Sequence, residues 1–174
     1  MRILELNAGR RWSRREIMMA DLSRPNVLPW PPMLLGTAAV LAITLGLVAP
    51  LPTTDAGWVT LPGFVLLVLG LGLDIWAILT MRSAQTNILP HRGADRLVTW
   101  GPFRLSRNPI YLANTLLLSG IGLAFGNLWF VVFALVSAFA VDRLAIRREE
   151  RHLAQRFGRD WADYAATTPR WLIR

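Results

Sequence analysis

Four long apolar stretches constrain this chain more than any other feature of its sequence. They cover residues 33–51, 61–81, 109–125 and 128–146. A helix that crosses a bilayer needs about 20 mostly apolar residues, because its backbone groups must bond to one another inside hydrocarbon. The pattern predicts an all-α integral membrane protein with about four transmembrane helices. Only Gly126 and Asn127 separate the last two stretches, so we expect an antiparallel helical hairpin there.

The arginines predict the orientation of the spans. All 19 basic residues are arginine; six precede the first span, five lie between the second and third, and eight run from Arg143 onward. The other two connections carry none. Since cytoplasmic loops are enriched in basic residues, we expect both termini and the middle loop in the cytoplasm. A basic chain without lysine is typical of G+C-rich bacteria, which favours the bacterial inner membrane.

The first 32 residues form a basic N-terminal segment, and residues 33–174 form the membrane domain. The stretch "GRRWSRREIMMADL" is compatible with an amphipathic helix on the lipid headgroups or with a disordered basic tail. No cleavable signal peptide is expected, because the first 24 residues contain six arginines and no apolar core.

Composition excludes several kinds of chemistry. The chain has no cysteine and two histidines, so disulfides, thiolate catalysis and Cys-ligated or His-rich metal sites are excluded, and we expect no metal. Without lysine, no Schiff base can form. The net charge of +8 permits nucleic-acid binding, but the arginines follow the membrane topology, which disfavours that function.

The middle loop ends in "WGPFRLSRNPIYL", directly before the third span. Pro109 is suited to the first position of a helix, where the missing N–H is not needed. The free N–H groups behind it, together with Arg104 and Arg107, would attract a carboxylate or phosphate. The alternative is an ordinary helix start whose interfacial arginines extend to the headgroups.

Acidic residues follow or interrupt the spans. Glu149 and Glu150 lie about 100° apart on a helix, so one can face the mouth of the hairpin while the other pairs with arginine or solvent. A surface network of charges is the alternative. Asp74 and Asp142 lie within predicted spans, where an acid is a functional candidate by default.

A basic helix start in one segment and an acid in another would match a zwitterion. The amino-acid end of S-adenosylmethionine is such a group, with ribose hydroxyls nearby. Methyl transfer from its sulfonium needs positioning and electrostatics and requires neither a metal nor a covalent protein intermediate.

Two segments carry a resemblance to a known family. They follow the patterns G-P-[YF]-R-x-x-R-[HN]-P-x-Y-L and E-E-x-x-L-x-x-x-[FY]-G-x-x-[YW]-x-x-Y, on either side of the predicted hairpin. Residues 86–172 resemble the isoprenylcysteine carboxyl methyltransferase and phospholipid methyltransferase superfamily. Its members are integral membrane enzymes that use S-adenosylmethionine. The implied cofactor-site segments are 86–112 and 147–172.

The resemblance also implies roles for individual residues. It assigns catalysis to Arg107, Glu149 and Arg170. It assigns cofactor binding to Gly101, Pro102, Arg107, Asn108, Pro109, Tyr111, Leu112, Glu149, Glu150 and Tyr164. Many members have His at the position of Asn108, and an amide cannot act there as a base near neutral pH. Trp161 stands where Tyr is common.

The methyl acceptor is left open by the sequence. A prenylcysteine carboxylate, the amine of phosphatidylethanolamine and another lipophilic molecule all fit, and each would enter from the membrane. Two other classes also stay open: a four-span proton-coupled transporter using Asp74, and a membrane reductase on a related hairpin, although no G-x-G-x-x-G fingerprint is present.

Overall fold

The protein is helical throughout the part of the chain that the computed structural model describes, residues 30–52, 57–85 and 96–172. The helices are α1 (Trp30–Val48), α2 (Thr60–Ser83), α3 (Pro109–Ala124), α4 (Trp129–Val141) and α5 (Arg147–Thr167). A short 3₁₀ turn, Gly101–Arg104, precedes α3, and a π-helical segment, Asp142–Ile146, joins α4 to α5. These ranges contain no strand, so the predicted all-α fold is confirmed. The predicted N-terminal amphipathic helix lies outside them.

Within the described ranges, three helices are long and apolar enough to cross a membrane: α1, α2 and the continuous helix that starts at Trp129. The fourth apolar helix, α3, has 16 residues and is therefore about 24 Å long, somewhat less than a typical hydrocarbon core of about 30 Å. Large apolar side chains face outward on these helices, for example Leu47 (79% exposed) and Val68 (70%). Such a surface is suited to contact with lipid.

Small residues let the helices approach closely. On α2, Gly63 and Gly70 face α3, and a Cβ added at Gly120 of α3 would lie 2.8 Å from the backbone N of Leu67. These contacts run in opposite directions along the two helices, which makes α2 and α3 antiparallel. Close packing of this kind stabilises helix association in lipid, where the hydrophobic effect does not drive helices together. A second contact joins α1 to α4 around Ala42 and Ala134, which are fully buried.

The turn of the predicted hairpin is fixed by Asn127. Gly126 adopts a positive φ of 69°, which glycine tolerates without a steric cost. The Asn127 side chain accepts a hydrogen bond from the Trp129 backbone N–H (3.2 Å) and donates one to the Ala42 carbonyl (3.0 Å). The turn therefore starts α4 and attaches it to α1.

Candidate functional site

The predicted site residues meet at the opposite end of the bundle from the hairpin turn. Here α2 ends, α3 begins, and the π-helical segment passes into α5. Gly158 has non-helical angles (φ 52°, ψ −114°), and this kink directs the second half of α5 back over the loop. The Tyr164 hydroxyl then donates a 2.7 Å hydrogen bond to the Phe103 carbonyl.

The end of the chain lies against the residues before α3. The Arg107 N–H donates to the Pro169 carbonyl at 2.9 Å. Ser106 Oγ and Asn108 Nδ2 both donate to the Arg170 carbonyl at 3.0 Å. The start of α3, which the sequence suggested as an open anion site, is therefore covered by the tail backbone.

Glu150 joins the loop to the tail through two arginines. Arg107 Nη1 lies 3.2 Å from Glu150 Oε1, and Arg170 donates to both carboxylate oxygens, with its Nε at 3.0 Å. The hydrogen bond from Arg170 to Glu150 is the main reason that the pKa of Arg170 is raised; Asp142, 3.4 Å from Arg170 Nη1, adds to it. Glu150 thus has its charge neutralised within the protein.

Glu149 has a different environment. Its Oε2 accepts a long hydrogen bond, 3.4 Å, from the Tyr111 hydroxyl. Although the residue keeps some exposed surface, burial of the carboxylate raises the pKa of Glu149 to about 7; the Tyr111 bond lowers this pKa and the Glu150 charge raises it. No salt bridge joins Glu149 to an arginine within the described ranges, so Glu149 is the acid available to a ligand.

Arg107 also has capacity for a ligand. Its Nε is buried and has no hydrogen-bond partner in residues 30–52, 57–85 and 96–172. Its guanidinium lies 5.6 Å from the ring centroid of Trp161, which is buried against Tyr164. An unsatisfied buried donor on a charged group is costly, and a ligand carboxylate would satisfy it.

Arg107 and Glu149 line one open cavity. Trp161 and Tyr164 of α5 line it as well, and Arg96 adds a second guanidinium. The other lining residues are apolar: Met81, Leu97, Val98, Phe103 and Leu153. Burial raises the pKa of Tyr164 above its usual range, with Glu150 acting in the same direction and Arg107 against it, so its hydroxyl stays protonated.

The predicted residues thus divide into three groups. Arg107, Glu149 and Tyr164 line this cavity. Glu150, Arg170 and Asn108 connect loop and tail, and Tyr111 contacts Glu149. The remaining four lie outside its walls: Gly101, Pro102, Pro109 and Leu112.

These four residues shape the loop. Gly101 has a positive φ of 62°, and a Cβ there would lie 3.0 Å from Thr80 Oγ1, so a larger residue fits neither the backbone nor the space. Pro102 and Pro109 are fully buried, and Leu112 bonds through its N–H to the Asn108 carbonyl.

The sequence did not indicate Trp161, Met81 or Val98 as wall residues. Trp161 could have been found, because it lies three residues before Tyr164 on the same helix face. Met81 and Val98 carry no such signal, since apolar residues near a span end are ordinary.

The other acids within the predicted spans differ from each other. Asp142 accepts hydrogen bonds from Arg147 (2.9 Å) and Arg170 (3.4 Å). Asp74, partly exposed on α2, has no ion pair or hydrogen bond with any described residue. In the described ranges, no group of three His, Asp or Glu side chains is placed to hold a metal ion.

Comparison with known proteins connects this arrangement to a family. The sequence model of the phospholipid methyltransferase family matches residues 58–160, more than half of the chain, from the start of α2 to the kinked part of α5. The chain belongs to the phospholipid methyltransferase family. This confirms the resemblance seen in the sequence, and the match includes both Arg107 and Glu149.

Two curated relatives come from bacteria. The cobalt-zinc-cadmium resistance protein CzcN of Cupriavidus metallidurans is 34% identical over 125 residues, which is 69% of this chain and 53% of the relative. The nickel-cobalt-cadmium resistance protein NccN of Alcaligenes xylosoxydans is 34% identical over 83 residues, 48% of this chain and 38% of the relative. The chain thus spans about half or less of their lengths.

Proposed function

We propose that this protein transfers a methyl group from S-adenosylmethionine to a lipophilic acceptor that enters from the membrane. The family assignment supports a membrane methyltransferase and favours it over the transporter and the reductase that the sequence left open. The names of the relatives refer to metal resistance and identify no methyl acceptor.

One observation carries the proposal. Arg107 Nε, buried and without a hydrogen-bond partner among the described residues, lines the same cavity as Glu149. Glu149 has no arginine partner in that part of the chain. The amino-acid carboxylate of S-adenosylmethionine fits Arg107. Its ribose hydroxyls or ammonium fit the Glu149 oxygen that Tyr111 leaves free, and Trp161 and Tyr164 supply apolar surface.

When bound, S-adenosylmethionine supplies an electrophilic methyl group on a sulfonium. The residues of this chain would bind and orient it, which is the main requirement of methyl transfer. Glu150 and Arg170 would act indirectly, because their ion pair holds the tail, and with it Trp161 and Tyr164, over the cavity. Asn108 bonds to the tail backbone, so it would position the loop.

The orientation belongs to the same proposal. S-adenosylmethionine is soluble, so the cavity must open to the cytoplasm, and the distribution of arginines along the chain agrees with that placement. In a bacterium this corresponds to the inner membrane.

The test is calorimetric binding of S-adenosylhomocysteine, the reaction product, to the purified chain in detergent. We expect micromolar binding that Arg107→Gln weakens by tenfold or more and Glu149→Gln weakens less. Arg104→Gln is the matched control, because Arg104 is exposed and does not line the cavity. Equal binding by all four proteins, or none by the folded parent, would contradict the proposal.

A further inference from the structure

A second cavity, an open groove, lies between the apolar helices α1, α3 and α4. Its walls include Pro31, Leu34 and Leu35 of α1, and none of the nine described residues that line it carries a charge. Neutral polar side chains project into this apolar space from α3 and α4: Tyr111, Asn114, Thr115 and Ser137.

Asn114 is the unusual member of this group. Thr115 Oγ1 donates to the Tyr111 carbonyl (2.9 Å) and Ser137 Oγ donates to the Ala134 carbonyl (3.0 Å), so both hydroxyl protons are used within their own helices. The Asn114 amide makes no hydrogen bond to any residue of the described ranges. An unpaired amide at membrane depth is costly, and a ligand with a polar head would provide the missing partner.

Tyr111 connects this cavity to the first one. Its side chain lines the second cavity, and its hydroxyl donates to Glu149, which lines the first. Asn114 lies three residues further along α3, on the same face and about one turn deeper in the bundle. A molecule bound to Asn114 would therefore have its polar head next to the Tyr111–Glu149 pair.

We propose that the second cavity binds the methyl acceptor, that this acceptor is an uncharged amphiphile bearing a hydroxyl group, and that Asn114 recognises that hydroxyl. This inference rests on the proposed methyltransferase function and specifies its substrate class. Among the described residues that line it, the cavity has no cation for a carboxylate or a phosphate. This disfavours prenylcysteine and phosphatidylethanolamine, whose polar heads carry those groups. Asn can both accept from and donate to a hydroxyl.

The residues of the two cavities account for every bond and proton in this methyl transfer. The acceptor oxygen forms a bond to the methyl carbon, and the carbon–sulfur bond breaks with its electron pair left on sulfur. The hydroxyl proton passes through the Tyr111 hydroxyl to Glu149. In this arrangement Glu149 contacts the ribose hydroxyls of S-adenosylmethionine and not its ammonium group. A carboxyl group with a pKa of about 7 is suited to take a proton at neutral pH.

The first experiment needs no turnover. A long-chain alkylphenol with a photoactivatable diazirine is irradiated with the full chain in detergent, and the labelled peptides are mapped by mass spectrometry. We expect labelling within residues 111–115 and 137–141, reduced about tenfold in Asn114→Leu. The control is Thr44→Ala, a polar residue of α1 that is exposed and outside the cavity. Labelling elsewhere, or labelling that Asn114→Leu leaves unchanged, would overturn the proposal.

The second experiment compares acceptors in the presence of methyl-labelled S-adenosylmethionine: the alkylphenol, a farnesylated cysteine derivative and phosphatidylethanolamine. We expect methylation of the alkylphenol, with a KM about tenfold higher in Asn114→Leu and unchanged binding of S-adenosylhomocysteine. Methylation of only the carboxylate or the amine would overturn the hydroxyl class. Absence of S-adenosylhomocysteine binding by the parent would count against the methyltransferase function, while the photolabelling result would still support or overturn the binding cavity.

Discussion

Glu149 and Glu150 are neighbours in the sequence, but their carboxylates have different partners. Two arginines from separate segments neutralise Glu150, whereas Glu149 bonds only to the neutral Tyr111 hydroxyl among the described residues. One acid therefore stabilises the site, and the other is left with capacity for a ligand. Burial of the carboxylate is the main cause of the raised pKa of Glu149, and the neutral Tyr111 hydroxyl offsets only part of it.

The raised pKa of Glu149 predicts a pH dependence. If ionised Glu149 accepts the substrate proton, methyl transfer should increase as pH rises through about 7 and level off above it. We expect Glu149→Gln to lower the rate about 100-fold and to remove this dependence, measured as kcat from pH 5.5 to 9. A profile in Glu149→Gln parallel to that of the parent would contradict this role.

Stability should change with pH in the opposite direction. The folded protein holds a proton on Glu149 up to about pH 7, whereas the unfolded chain releases it near 4.5. Because the folded state then binds more protons, stability falls as pH rises from about 4.5 to about 7. We expect Glu149→Gln to raise the melting temperature at pH 8 and to leave it nearly unchanged at pH 4. An equal shift at both values would show that titration of Glu149 is not the cause.

The ion pairs of Glu150 should hold the tail against the loop. In Glu150→Ala, the mostly buried Arg107 side chain loses its ionic partner, and the partly exposed Arg170 side chain keeps only Asp142. Loss of the partner of a buried charge is destabilising. We expect the Arg107 amide, bonded to the Pro169 carbonyl, to exchange its hydrogen at least about tenfold faster.

The matched control for Glu150→Ala is Asp163→Ala. Asp163 lies on the same helix in an exposed pair with Arg159, 3.9 Å apart, and such pairs contribute little. Equal exchange of the Arg107 amide in both variants would show that the Glu150 pairs do not hold the tail.

At the scale of elements, two irregularities build the site from one long helix. The π-helical segment Asp142–Ile146 adds a residue to a turn, which rotates the following face by about 100°. Ala145 and Ile146 are then fully buried, and Glu149 and Glu150 both face the site. The kink at Gly158 turns the remaining part of α5 back toward Phe103 and Arg107.

Gly158 should therefore be sensitive to substitution for backbone reasons alone. A Cβ there meets nothing within 4 Å, but the backbone angles (φ 52°, ψ −114°) lie in a region that costs a residue with a side chain about 1–3 kcal/mol. We expect Gly158→Ala to lower the melting temperature by about 2–4 °C per kcal/mol and to weaken S-adenosylhomocysteine binding.

Gly72→Ala is the control for Gly158→Ala. Gly72 lies in the regular helix α2, again with open space around it, and alanine is favoured over glycine there. A loss of stability in Gly72→Ala as large as that in Gly158→Ala would contradict the explanation.

At the scale of the molecule, the two ends of the helical bundle differ in structure and in proposed function. The hairpin end is fixed by Asn127 and carries no arginine between α3 and α4. The other end holds the three charged residues that line the first cavity, Arg96, Arg107 and Glu149. It also holds the tail, and the proposed acceptor cavity reaches it from within the bundle. The proposed function requires the second end to face the cytoplasm.

Single cysteines can test this orientation, because the chain has none of its own. We expect a membrane-impermeant maleimide to label Gln155→Cys only in inside-out vesicles and Phe125→Cys only in right-side-out ones. Both positions are exposed. The reverse pattern would exclude a cavity that opens to the cytoplasm.

The sequence by itself determined the helical membrane fold and the family. Runs of apolar residues report helix spans directly, because a bilayer tolerates few other backbone structures. The motif residues around Arg107 and Glu149 were also visible, since they lie in short segments with characteristic spacing.

Only the tertiary structure separated the roles of Glu149 and Glu150 and brought Arg170 and Asp142 together, 28 residues apart in the sequence. It also placed Asn114 in a cavity with Leu34 and Ser137. These results depend on a π-helical segment, a kink and interhelical packing. Such features arise from contacts between residues that are distant in the sequence. The local periodicity of apolar residues therefore cannot predict them.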